Sequence, residues 1–76
     1  MKRYQDLSGH SGVVAYEAGT DWIKVKFEDG GLYLYTRDST GPDNIEHMKM
    51  LAATGRGLAT FIVQHVRTAY AQKLGG

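Results

Sequence analysis

A chain of 76 residues has room for one domain and lies near the lower size at which a single hydrophobic core holds a fold together. The absence of cysteine excludes disulfides, thiolate nucleophiles and thiolate zinc sites. The net charge is only +1, but the first 46 residues hold all eight acids against five Lys and Arg, while residues 47–76 hold four bases (Lys49, Arg56, Arg67, Lys73) and no acid. That asymmetry suits an anionic partner, and equally a helical surface that happens to be basic.

Residues 1–12, ending in LSGHSG, read as a loop-rich leading segment. Lys2 and Arg3 are followed by polar Gln5 and Asp6, so no signal peptide is expected, and the apolar run Phe61-Ile62-Val63 is too short to cross a bilayer. The expectation is a cytoplasmic protein of bacterial type with no membrane partner. Val13 to Glu17 is β-branched and aromatic, Trp22 to Phe27 alternates, and Leu32 to Thr36 alternates again, which predicts a three-stranded antiparallel meander over 13–17, 22–28 and 31–36. Asp29-Gly30 suits a two-residue hairpin turn. That turn sets Phe27 opposite Leu32, Lys26 opposite Tyr33, Val25 opposite Leu34 and Lys24 opposite Tyr35. Ile23, Val25, Phe27, Leu32 and Leu34 then share the core face, and the other face carries Trp22, Lys24, Lys26, Tyr33, Tyr35 and Arg37.

The segment RDSTGPD offers capping oxygens and a first-turn proline, which predicts a helix near 42–53 with Ile45, Met48 and Ala52 on its buried side. Gly55-Arg56-Gly57 reads as an interhelical turn. A second helix near 57–73 is predicted from the apolar stripe Leu58, Phe61, Ile62, His65, Val66, Ala69 and Tyr70. The fold class is therefore α+β, with a single domain over 1–76, a meander over 13–37, and two helices over 42–73 packed on one sheet face. Core positions are Ile23, Val25, Phe27, Leu32, Leu34, Phe61, Ile62 and Val66.

Catalytic chemistry is thin. His10, His47 and His65 fit no metal spacing; His65 is expected packed and hydrogen-bonded in the apolar stripe, and His47 solvated. Ser8-Gly9-His10-Ser11-Gly12 is not a nucleophile elbow, because a strand rather than a helix follows it. Glu28 and Asp29 flank a turn, where nothing tunes one as acid and the other as base. No enzyme activity, metal or cofactor is expected. The terminal Leu74-Gly75-Gly76 matches the diglycine end of ubiquitin-like modifiers, but the order of elements differs, so a frayed helix end is expected.

The stretch VAYEAGTDWIKVKFEDGGLYLY, with Phe27, Gly30 or Gly31, Tyr33 and Tyr35, resembles the KTSC domain, a small module found at the C-terminus of some lysyl-tRNA synthetases and as a stand-alone bacterial or phage protein. LAATGRGLATFIVQHVRTAY extends the likeness through Gly57, Phe61, His65, Val66, Arg67 and Tyr70, whereas RDSTGPDN is longer than the family's usual connection. The resemblance implies an RNA-binding or interaction role and no catalytic residues. The Trp22, Lys24, Lys26, Tyr33, Tyr35 and Arg37 face agrees with it, since rings stack single-stranded bases and cations meet phosphates. Two other readings stay open: cross-strand Lys–Tyr pairs that only stabilise the hairpin, and an aromatic face for a protein partner or for self-association, in a monomer or weak dimer.

Overall fold

The predicted meander forms, and two further strands extend it, one at each edge. A computed structural model describes residues 1–5 and 12–75; the loop expected over Ser8-Gly9-His10-Ser11 lies outside them. The order along the chain is β1 (Lys2–Arg3), β2 (Val13–Ala18), β3 (Trp22–Phe27), β4 (Leu32–Thr36), α1 (Arg37–Thr40), α2 (Pro42–Thr54), α3 (Leu58–Phe61, continued by a π-helical turn at Ile62–Val66) and β5 (Gln72–Gly75). The five strands are antiparallel, in the order β1-β2-β3-β4-β5.

The β3–β4 register differs by one residue from the expected one. Lys26 pairs with Leu32, Val25 with Tyr33, Lys24 with Leu34 and Ile23 with Tyr35. The cause is the loop. Gly30 N–H donates to Phe27 O at 3.0 Å and Phe27 N–H to Gly31 O at 2.8 Å, so Phe27 faces Gly31 and the connection is the three-residue Glu28-Asp29-Gly30. Gly30, at φ 94°, takes the left-handed position that ends such a loop, and Asp29 Oδ1 accepts the Gly31 N–H at 2.8 Å. Adjacent glycines make either loop sterically available. The shift exchanges the faces of β4: Tyr33 and Tyr35 join Ile23 and Val25 on the inner side, and Leu32 and Leu34 turn to the outer side with Lys24 and Lys26.

One cluster of buried residues joins the inner face to the helices: Tyr4, Val13, Ile23, Val25 and Tyr35 from the sheet side, Ile45, Met48 and Ala52 from α2, and Leu58, Phe61, Ile62 and Val66 from α3 and its continuation. Each large aliphatic among them contributes roughly 1.5–3 kcal/mol by leaving water. Phe27 is only half-buried, and Leu32 and Leu34 are half-buried outside this cluster. A bulge at Val14 lets Val13 and Tyr16 both face inward. The Lys49 ammonium ties α2 to the β2–β3 turn by donating to Thr20 O at 3.1 Å, while pairing with Glu46 at 3.2 Å.

The second helix is shorter than its stripe. It ends after Val66, and the chain returns as β5 to pair with β4, with Ala71 N–H donating to Leu34 O at 2.7 Å. The frayed-helix expectation for Leu74 and Gly75 is thus replaced by a strand. Pairing the otherwise open β4 edge outweighs another helical turn, because an unpaired row of backbone groups on an apolar strand is a liability. At the opposite edge β1 pairs Lys2 with Tyr16 and Arg3 with Ala15, so the leading segment is not all loop. His65 is exposed rather than packed; it lies against one side of the Phe61 ring at 4.7 Å, with His47 on that ring at 4.5 Å.

The register makes a direct prediction for urea unfolding. Tyr35→Ala should cost about 3–5 kcal/mol and Ile23→Ala about 2–5, whereas Leu34→Ala should cost less than about 2. A larger loss at Leu34 than at Tyr35 would restore the two-residue turn.

Candidate binding surfaces

The six residues expected to share one face divide between two. Trp22, Lys24 and Lys26 stand on the outer side of β3, and Arg37 opens α1 at the end of that side. Tyr33 and Tyr35 stand on the inner side, turned there by the register.

On the outer side, Arg3, Ala15, Glu17, Trp22, Lys24, Lys26, Leu32, Leu34, Thr36 and Gln72 share a face by strand pairing, and none of them is fully buried. The Trp22 indole folds over Gly19, where a β-carbon would overlap the ring, so only glycine permits this placement. The Lys24 ammonium sits 5.4 Å from the indole centroid, a cation–π distance. Between Trp22, Leu34 and α1 runs a groove of about 390 Å³ whose rim carries Asp21, Lys24, Arg37 and Asp38. Thr36 shapes its end. The Thr36 hydroxyl accepts the Ser39 N–H at 3.1 Å and the Ser39 hydroxyl accepts the Thr36 N–H at 3.0 Å, a reciprocal cap that holds Arg37 and Asp38 in the first turn of α1.

The inner side carries an aromatic cluster at the turn end of β3 and β4. Phe27 meets Tyr33 edge-on at 5.7 Å, Tyr33 meets Tyr70 at 5.0 Å, and Tyr35 meets Tyr70 edge-on at 6.4 Å. Lys73 on β5 places its ammonium 5.7 Å from the Tyr33 centroid. Burial, with a smaller push from the neighbouring Tyr33 and Tyr70 phenols, raises the Tyr35 phenol to about 12. Sequence reasoning missed Tyr70 and Arg67 as neighbours of Tyr33 and Tyr35. The apolar spacing that includes Tyr70 is the available signal, but the chain leaves the helical path after Val66 and so carries Tyr70 to these rings.

Tyr4 uses its phenol differently. Its buried hydroxyl accepts the Leu58 N–H at 3.3 Å, closing the start of α3, where Gly57 offers no side-chain cap. Among the described residues, no group of three or more His, Asp or Glu side chains is placed to hold a metal ion, and no helix is long and apolar enough to cross a membrane. Compared with protein-family models, with curated proteins and with solved structures, the chain matches none.

The two buried phenols predict opposite responses to hydroxyl deletion. Tyr4→Phe leaves the Leu58 N–H without its acceptor and should cost about 1–3 kcal/mol. Tyr35→Phe should change stability by less than about 0.5 kcal/mol at neutral pH. The Tyr35 pKa is raised on folding, so its contribution is complete below about pH 10 and is lost as pH climbs toward about 12. Tyr35→Phe should remove that alkaline loss, together with the phenolate transition near 12 in an ultraviolet titration.

Proposed function

We propose that this protein is a non-catalytic docking module that binds a protein partner on the outer face of its sheet. The observation that carries the reading is the make-up of that face. Leu32, Leu34, Ala15 and Trp22 form a half-buried apolar centre outside the helix-covered core, ringed by Arg3, Lys24, Lys26, Glu17 and Gln72. An apolar centre with an aromatic anchor and a mixed polar rim is the anatomy of a protein interface. Single-stranded RNA is less well served. Both tyrosines that would stack bases have moved to the inner side, and the remaining ring, Trp22, is packed on Gly19 and flanked by Lys24. The interaction role implied by the KTSC resemblance is compatible with this reading.

Trp22 is the chain's single tryptophan, so its fluorescence reports on this face alone. A photo-crosslinking side chain at position 34 or 26 should capture a discrete protein adduct in cells, absent when the probe stands at Met50 on α2 and lost when Trp22→Ala is added. Nuclease-sensitive adducts, or Trp22 quenching by single-stranded RNA that vanishes steeply with salt, would replace the protein partner by a nucleic acid.

A further inference from the structure

We propose that the inner-side cleft between the β3–β4 turn and the π-helical turn is a binding site for a small planar aromatic anion, a single ring bearing a carboxylate or phosphate. This site is separate from the outer face and does not depend on what docks there. The cleft holds about 240 Å³ between Phe27, Tyr33 and Tyr35 of the sheet, Ile62 and Val63 of the π-helical turn, and Tyr70. That volume is below the roughly 300–1,000 Å³ of sites for drug-sized ligands, which limits the occupant to about one ring.

The Tyr35 hydroxyl points to a ligand. Its residue is only 1% exposed, yet the hydroxyl has no hydrogen-bond partner among the described residues. No polar side-chain atom among them is both sealed from solvent and unpaired, so this oxygen opens into the cleft that its own ring lines. A hydroxyl that opens into a cleft without a protein partner is completed there by water or by a ligand. The phenol stays protonated at neutral pH and so offers a donor to an acceptor on the ring. The wall from Ile62 to Val66 is a π-helical turn, a rare widening of helical geometry that recurs at functional sites.

Charge selects an anion. Arg67 stands at the rim without an ion pair among the described residues, and Lys73 already occupies the Tyr33 ring face. A cationic ligand would meet two like charges and find that ring face taken. Asp29, the acid on the rim, has one carboxylate oxygen engaged by the Gly31 N–H, so the anionic group is directed to the Arg67 side.

The experiment is a backbone-amide NMR titration of the whole chain with 4-hydroxybenzoate, with phenyl phosphate, and with phenyltrimethylammonium as the cation of matching ring size. Saturable shifts at Tyr33, Tyr35, Val63, Arg67 and Tyr70 with either anion, and none with the cation, are expected. The anion that binds tells a carboxylate source from a phosphate one. Tyr35→Phe and Arg67→Gln should each weaken binding about tenfold, while Tyr35→Phe leaves the urea midpoint unchanged. Equal binding of the cation, full affinity in Tyr35→Phe, shifts centred on Trp22 and Leu34, or no shifts with any of the three would overturn the proposal.

Discussion

Everything on both surfaces of this protein depends on the backbone bonds that close the β3–β4 loop. With Phe27 facing Gly31, the loop has three residues, and every side chain of β4 takes the side opposite to the one a two-residue loop would assign. A shift of one residue carries the whole strand with it, since neighbouring side chains point to opposite faces. The tyrosines then close the core against α2 and α3, while the leucines supply the apolar centre of the outer face. Both candidate surfaces follow from this one offset.

The two short edge strands complete what the hairpin begins. On one edge β1 brings Tyr4 under the sheet, where its hydroxyl meets the first amide of α3 across 54 residues of chain. On the other, β5 pairs with β4 and sets Lys73 over Tyr33. That return is possible because the last helix widens into a π-helical turn and stops at Val66, which frees Tyr70 to lie against Tyr33 and Tyr35. Tyrosine suits this position. Its ring fills the core as a phenylalanine would, and its polar tip can reach the rim of a cleft.

Composition and periodicity were enough to determine the α+β class, the β2–β3–β4 meander, the buried face of α2 through Ile45, Met48 and Ala52, and the core positions Ile23, Val25, Phe61, Ile62 and Val66. These positions have one apolar face and one polar face, so local pattern and burial agree. In the stretch Leu32-Tyr33-Leu34-Tyr35 both faces are substantially apolar, so alternation alone leaves the register undetermined, and adjacent glycines leave the loop length open. Only the tertiary structure decided it, through the room beneath the helices that two phenol rings fill. The end of the last helix was hidden for a related reason. Helical spacing continues past Val66, but the backbone groups of an open β4 edge are satisfied only by a strand, and that demand comes from β4, far upstream in the chain, rather than from any local signal.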